Sequence, residues 1–378
     1  MQLTDLNTPA LILDKSILDR NIALLAQRLE KYDCILRPHL KTCKSADIAR
    51  RINPDLSMPV TVSTLHEAEY FLENGITDIL YAVSIVPGKL KQVKHLQDKG
   101  AYMILLLDTV EAATLVSTSA LQLDAEFPCL VEVDCDGKRA GLKPEAPELI
   151  DVAKALTQLP GVQMKGVMTH CGGSYYCQGE EEMVVIAEQE RTAITKAADR
   201  IQKAGFECPV VSMGSTPTVT FARSLDGVTE VRAGVYVFQD MVMQALGVCK
   251  TSDIALSVLS TVISHNSSEN RILIDAGSLA LSADPGKVNP NGDPHFGLVC
   301  HAEDCKPFDN LWVTSSNQEH GLISLTNTPY TPSDFPIGSQ VRILPNHACI
   351  TAAAYAEYQV VDGSDEITDR WQRCNRWG

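Results

Sequence analysis

With 378 residues, 45% of them hydrophobic, the chain is long for one domain, comfortable for two, and apolar enough to fill a buried core. A formal charge of −15 and a sequence pI near 5.0 argue against a nucleic-acid or anionic-membrane partner. No stretch approaches the roughly 18–20 uncharged apolar residues of a membrane span, and Met1-Gln2-Leu3-Thr4-Asp5 lacks the basic and apolar regions of a signal peptide, so a cytoplasmic location is expected.

In chain order, Thr8 to Leu13 is a short apolar run opened by proline and reads as a strand. From Lys15 to Leu29, Ile17, Leu18, Ile22, Leu24, Leu25 and Leu29 recur at helical spacing. A strand-then-helix alternation follows. The strands are expected at Cys34–Lys41, Pro59–Thr64, Ile79–Ser84, Tyr102–Asp108, Cys129–Asp134, Val162–His170, Pro209–Gly214 and Val228–Phe238. Helical patterns fill most gaps, as at Leu65–Asn74, Gly88–Lys99, Thr109–Leu121, Glu148–Leu156 and Gly179–Ala204. Eight β-branched, continuously apolar strands alternating with helices fit a closed parallel (β/α)8 TIM-like barrel. An open doubly wound sheet gives a similar string, but no Gly-x-Gly-x-x-Gly follows an early strand, which weakens a dinucleotide-binding reading.

After Cys249 the texture changes. Leu256–Ile263, Arg271–Asp275, Leu311–Thr314, Gln340–Leu344 and Tyr355–Val361 read as strands separated by turn-rich loops such as Ala283–Gly286 and Asn289–Pro294. The division expected from this pattern is a barrel over 14–248 and an all-β domain over 1–13 and 249–378. The twelve cysteines are scattered, mostly inside apolar runs (Cys34, Cys129, Cys208, Cys249), with no Cys-x-x-Cys pair. They read as free thiols in a reducing compartment rather than as a disulfide framework.

Chemistry collects where the expected strands end. Leu36-Arg37-Pro38-His39-Leu40-Lys41-Thr42-Cys43-Lys44 puts Lys41 at the end of the first barrel strand, where loops vary without disturbing the core. Arg37 and Lys44 flank it, and their charge is expected to lower its pKa and leave more free amine, as a Schiff-base lysine requires. Ser212-Met213-Gly214-Ser215-Thr216-Pro217-Thr218 offers small residues that let backbone N–H groups approach a phosphate, with Ser215 and Thr216 adding hydroxyl donors. Any tight turn uses similar residues. In Pro345-Asn346-His347-Ala348-Cys349, a histidine and a cysteine at alternate positions can face one ion only if the segment is extended and locally bent.

These motifs together resemble the fold-type III pyridoxal-phosphate enzymes, and more narrowly the D-threonine aldolase and D-serine dehydratase group (D-threo-3-hydroxyaspartate dehydratase-like). In that group an Arg-Pro-His-x-Lys-Thr-x-Lys pattern carries the cofactor lysine, here Lys41. The resemblance runs from about Thr8 to the end of the chain. It implies an alanine racemase-like fold in which the first strand, Thr8–Leu13, crosses to the β domain. Val133-Asp134-Cys135-Asp136-Gly137-Lys138-Arg139-Ala140-Gly141 resembles the Asp-x-Gly-x-x-Arg-x-Gly segment of alanine racemase, so Arg139 is expected to hold the cofactor's phenolic oxygen or the substrate carboxylate. Thr169-His170-Cys171-Gly172-Gly173-Ser174-Tyr175-Tyr176 is similar to the group's His-x-Gly-x-Ser-Tyr, which implies His170 stacked on the pyridine ring and Tyr176 donating to the cofactor, with the choice between Tyr175 and Tyr176 open. Glu230-Val231-Arg232-Ala233-Gly234-Val235 resembles the Arg-x-Gly-(Ile/Val) run whose glycine amide binds the phosphate, so Gly234 and Val235 join Gly214, Ser215 and Thr216, while Arg232 is a candidate for the pyridine nitrogen. D-serine dehydratase-like enzymes hold zinc through His-x-Cys in a Pro-Asn-His-x-Cys setting, which implies a divalent metal, zinc, on His347 and Cys349. D-threonine aldolases usually show His-x-Asp.

The expected function is therefore a lyase that uses pyridoxal 5'-phosphate and a metal to dehydrate a β-hydroxy-D-amino acid, D-serine or D-threo-3-hydroxyaspartate, to a 2-oxo acid and ammonia. Its rival is retro-aldol cleavage to glycine and an aldehyde. A racemase needs a second base, for which the sequence nominates no residue, and the non-catalytic carriers of this cofactor lack a β domain. A homodimer is expected from the group.

Overall fold

The computed structural model describes residues 1–286, 294–375 and 377, so the turn expected at 289–294 lies almost wholly outside the described residues. Packing divides the chain into two units, residues 24–234 and residues 1–23 with 235–375.

Among the described residues there are seventeen strands, β1 to β17 in chain order. The first unit is built on β2 (Ile35–Leu36), β3 (Val60–Val62), β4 (Asp78–Ser84), β5 (Tyr102–Leu107), β6 (Phe127–Val133), β7 (Val162–Thr169), β8 (Val210–Met213) and β9 (Glu230–Val231), all parallel, in the order β2-β9-β8-β7-β6-β5-β4-β3. The chain beyond Leu36 closes the ring: a His39–Thr61 bridge is flanked by Leu40 N–H to Thr61 O and Thr61 N–H to Pro38 O, both 2.9 Å. The sheet is a TIM-like (β/α)8 barrel, as the alternation predicts. Its strands are buried on both faces, with Met103 to Leu107 and Phe127 to Val131 all buried, which is why they read as unbroken apolar runs. Helices cross over between strands, and threonines just past a strand start two of them. Thr64 accepts the Glu67 N–H and Thr109 the Ala112 N–H, capping Leu65–Glu73 and Val110–Leu123.

The second unit is a nine-stranded, largely antiparallel sheet. It contains β1 (Ala10–Asp14), β10 (Leu256–Asn266), β11 (Arg271–Ile274), β12 (Leu298–His301), β13 (Pro307–Ser316), β14 (Gly321–Ser324), β15 (Gln340–Leu344), β16 (Glu357–Val361) and β17 (Ile367–Gln372). The order is β11-β14-β13-β12-β15-β10-β1-β16-β17, and an extra β10–β11 pairing closes six of these strands into a small barrel. The N-terminal strand joins it as expected, antiparallel to β10 and parallel to β16. Among the described residues no helix is long and apolar enough to cross a membrane.

Three expectations are corrected. The strand foreseen over Val228–Phe238 is only Glu230–Val231, followed by a 3-10 turn at Val235–Val237. Residues 235–248 leave the first unit because their hydrogen bonds go elsewhere: Met241 N–H to Pro345 O, Val242 N–H to Asn346 O and Ala255 N–H to Phe238 O. The strands β12, β14 and β17 carried no strand signal, being short or polar (Leu-Val-Cys-His, Gly-Leu-Ile-Ser, Ile-Thr-Asp-Arg-Trp-Gln). They form because neighbouring strands supply partners, a tertiary effect.

Arg37 also departs from its expected role. It is 4% exposed, with Nε 2.8 Å from Glu230 Oε2 and Nη1 2.7 Å from Asp78 Oδ1. Asp78 and Glu230 are the first residues of their strands, so this ion triad lies at the end of the barrel opposite to the strand-end loops. Lys44 is likewise committed, 3.0 Å from Glu67. Neither flanking charge stands bare beside Lys41. Replacing Arg37 with Met strands the buried Glu230 carboxylate, and we expect a loss of about 3–5 kcal/mol in urea unfolding. A loss below about 1 kcal/mol would show that the triad is dispensable.

Candidate active site

The barrel's strand-end loops bring the expected residues to one place. His170 follows β7, with Nδ1 3.3 Å from Gly214 O. Burial, and then the charges of Arg139, Arg232 and Lys41, hold its imidazole far below the usual histidine range, at about 3. Lys41, from the loop after β2, Arg139, from the loop after β6, and Arg232 thus lie near enough to this ring for their charge to act on it. His39 adds a second neutral imidazole. Burial, then Lys41, Arg232 and His170 push it well down, and its Nδ1 is buried without a hydrogen-bond partner. A buried polar atom left open at the mouth of a barrel is an invitation to a ligand.

Arg232 is 3% exposed; Nη1 lies 2.5 Å from Ser212 Oγ, and Nη2 donates to Thr169 O. It ties β7, β8 and β9 together beneath the rim. Of the two tyrosines left open by the sequence, Tyr175 faces His170, with ring centroids 6.5 Å apart. Tyr176 is 77% exposed and points outward over Lys138, so the expectation that placed Tyr176 at the cofactor passes to Tyr175.

Gly214 follows β8 with φ +118°, and a Cβ there would lie 2.8 Å from Arg232 O. At Gly234 a Cβ would meet Thr42 Oγ1 at 2.8 Å and His39 O at 3.0 Å. Both positions demand glycine because the loops after β8, β9 and β2 converge there. Ser215 caps the helix Thr216–Phe221 reciprocally with Thr218: its N–H donates to Thr218 Oγ1 at 3.0 Å, and the Thr218 N–H reaches Ser215 Oγ. Ser215 shapes the turn, while Thr216 opens the helix and Val235 follows Gly234 in the chain.

The second unit carries His347 and Cys349. They do not sit on a bent extended segment. His347 is the N-cap of the helix Ala348–Ala353 and Cys349 lies in its first turn, so the start of a helix brings the side chains together. His347 Nδ1 is 3.0 Å from Asp284 Oδ2, and its ring is hydrogen-bonded to Cys349. Burial pushes the imidazole down, but Cys349, Asp240 and Asp284 outweigh it and hold the pKa up at about 9. This is a cluster that attracts positive charge. Its donors, an imidazole and a thiol backed by carboxylates, suit a borderline-soft divalent ion such as zinc.

Asp240 and Asp284 were missed as site residues. Asp240, 2% exposed, accepts Met243 N–H at 2.9 Å and Ala348 N–H at 3.0 Å, pinning the His347 segment to the helix Met241–Ala245. Its position before that helix is an N-cap signal legible in the sequence. Asp284 lay in a turn and gave no such signal. Glu190, also missed, is fully buried, and its Oε1 accepts Cys171 N–H at 2.8 Å and Gly214 N–H at 3.3 Å. An acid on the apolar stripe Met183, Ala187, Ile194, Ala197 is the clue that pattern reading could have used. Glu319 and His320, by contrast, are exposed in the β13–β14 hairpin turn.

Comparison with known proteins gives a family model, "Alanine racemase, N-terminal domain", over residues 13–241, and "Putative serine dehydratase domain" over residues 255–361. Full-length relatives include the D-threo-3-hydroxyaspartate dehydratase of Delftia sp. (strain HT23), 40% identical over 99% of both chains. The D-serine dehydratase of Dictyostelium discoideum is 31% identical over 99% of this chain and 98% of its own. Among solved structures, a cysteine-to-alanine mutant of D-threo-3-hydroxyaspartate dehydratase in the metal-free form superposes with a TM-score of 0.95 at 39% identity, covering 100% of both chains. This chain belongs to the alanine racemase N-terminal domain family, in the branch that couples the barrel to a serine dehydratase domain.

Proposed function

We propose that this chain is a pyridoxal-phosphate- and divalent-metal-dependent lyase that dehydrates a β-hydroxy-D-amino acid, D-threo-3-hydroxyaspartate or D-serine, to a 2-oxo acid and ammonia. The observation that carries the reading is the convergence of the loops after β2, β7, β8 and β9, which bring His39 and Thr42 beside Lys41 against Gly234, and His170 against Gly214, at one end of the barrel. The named activities of the full-length relatives support it.

Lys41 holds the cofactor, and its free amine takes the Cα proton of the substrate. Pyridoxal phosphate supplies an electron sink for the pair left at Cα. A neutral imidazole at His170 offers a ring face for stacking without adding to the positive charge of Lys41, Arg139 and Arg232. Arg139, exposed at the rim, has the planar fork that pairs with a carboxylate or phenolate. Gly214 and Ser215 form the turn for the phosphate, and Thr216, Gly234 and Val235 supply donors to it. His347 and Cys349 hold the metal, and Asp284 orients His347 through Nδ1. The ion, zinc on this donor set, supplies Lewis acidity that makes the β-hydroxyl a better leaving group. The unsaturated product then hydrolyses in water. The working form is a cytoplasmic homodimer.

Assay on D-threo-3-hydroxyaspartate, D-serine and D-threonine is expected to give oxaloacetate or pyruvate with ammonia. Glycine with an aldehyde would transfer the assignment to retro-aldol cleavage. Borohydride reduction should fix the cofactor on the peptide containing Lys41, and label on another lysine would sink that role.

Stripping the metal, or Cys349→Ala, is expected to cut turnover by two orders of magnitude or more while leaving the cofactor's visible spectrum intact, because Lys41 and the metal residues belong to different units. Full activity in either preparation would remove the metal from the mechanism.

For His170, a folded pKa of about 3 against an ordinary 6.5 means that the unfolded chain takes up a proton first as pH falls. Its contribution to stability is thus unchanged above pH 6.5 and erodes between 6.5 and about 3. Imidazole ¹⁵N shifts of the cofactor-free protein should show no protonation of His170 from pH 8 down to 5, and a midpoint near 6.5 would contradict the half-buried, cation-flanked setting.

A further inference from the structure

Cys135, Asp136 and Cys171 lie on the loops after β6 and β7, and the chemistry above uses none of them. One ligand atom from each, two Sγ and a carboxylate oxygen, all lie within 4.8 Å of one another. Asp136 Oδ2 is 3.2 Å from Cys171 Sγ and accepts the Gly173 N–H at 2.6 Å, and the two thiols are hydrogen-bonded to each other. Cys171 is wholly buried and Cys135 is 9% exposed, packed with Ala193 and Ile186 of the helix Glu180–Lys203. The Glu190 carboxylate, itself buried, accepts the Cys171 N–H from the other side.

A cysteine so placed is a poor nucleophile. The Cys135 thiol, burial, and the Glu190 and Asp136 carboxylates all push the Cys171 thiol up. A divalent cation inverts that balance, because it stabilises the thiolates that the carboxylates oppose. Two sulfurs and one carboxylate favour the zinc class over magnesium or calcium, which take oxygen ligands alone. Cys135 and Asp136 also line a cavity of about 460 Å³, bordered by Gln189 and Thr192, through which an ion can enter and a water can complete four-coordination.

We propose that Cys135, Asp136 and Cys171 form a second divalent-metal site, of the zinc class, which fastens the loop bearing Arg139 to the loop bearing His170. Binding converts two thiols to thiolates and releases two protons, Asp136 entering as carboxylate. The ion's role is positional: it fixes two loops whose side chains meet at the barrel's mouth.

The test uses the chain carrying His347→Ala and Cys349→Ala, purified with its cofactor and titrated with zinc alone against a chromogenic chelator. One zinc per chain, two protons released and a raised melting temperature are expected. Adding Cys135→Ser and Cys171→Ser should abolish all three, with circular dichroism verifying the fold. Asp136→Asn, which keeps the shape and loses the charge, should weaken zinc binding by about tenfold or more. No zinc in the parent variant, or undiminished binding without the two cysteines, overturns the proposal. So does protein isolated with two fewer titratable thiols and a mass lower by two hydrogens, which would make the pair a disulfide. Because His347 and Cys349 are absent from every sample, failure here is separable from failure of the lyase reading.

Discussion

Between Arg37 and Leu40 the backbone is hydrogen-bonded to both of its neighbours. Arg37 and His39 donate to Val231 O and Ala233 O on one side, while on the other Leu40 donates to Thr61 O and Thr61 donates to Pro38 O. This short segment closes the parallel barrel, and the residue that follows it is Lys41. A parallel strand in a closed ring has no free edge, so its register is fixed on both sides and its end is defined to the residue. The placement of the lysine follows from that closure. So does the need for glycine at 234, where the loop after β9 presses on His39 and Thr42.

The closure also separates two kinds of charge within the barrel. Arg37 enters from the floor and is neutralised there by Glu230 and Asp78. Lys41, Arg139 and Arg232 lie at the other end, where burial and these cations push two imidazoles below the usual histidine range. In a chain of net charge −15, such a cationic pocket is a local construction, suited to an anionic cofactor and an anionic substrate. The β unit shows the opposite arrangement. Asp240, Asp284 and Cys349 surround His347 and favour a cation.

Each polar site is anchored by a buried carboxylate that the chemistry does not consume. Glu190 gathers the amides of Cys171 and Gly214, so one helix side chain sets the relative position of the loops after β7 and β8. Asp240 does the same for the segment that starts with His347. Charge-assisted hydrogen bonds of this kind, satisfied within the protein, hold loop backbones as firmly as strands hold each other.

The sequence by itself determined the alternation, because continuous apolar strands and periodic helices are local patterns. Lys15–Leu29 and Gln340–Leu344 match the structure end to end. It also carried the lysine, glycine-turn and His-x-Cys motifs, since these are contiguous runs at strand ends or turns. What it could not carry was anything set by a partner distant in the chain. Arg37 and Lys44 looked like bare neighbours of Lys41 until Glu230 and Glu67 were found on them. Tyr175 and Tyr176 are adjacent, and only the path of one 3-10 turn decides which faces His170. Strands β12, β14 and β17 lack their own propensity and exist because others pair with them, while Asp284 meets His347 across 63 positions. Local propensity and motif chemistry are written residue by residue; the ion pairs, orientations and borrowed strands come from the fold, which alone brings distant residues within the few ångströms over which those forces act.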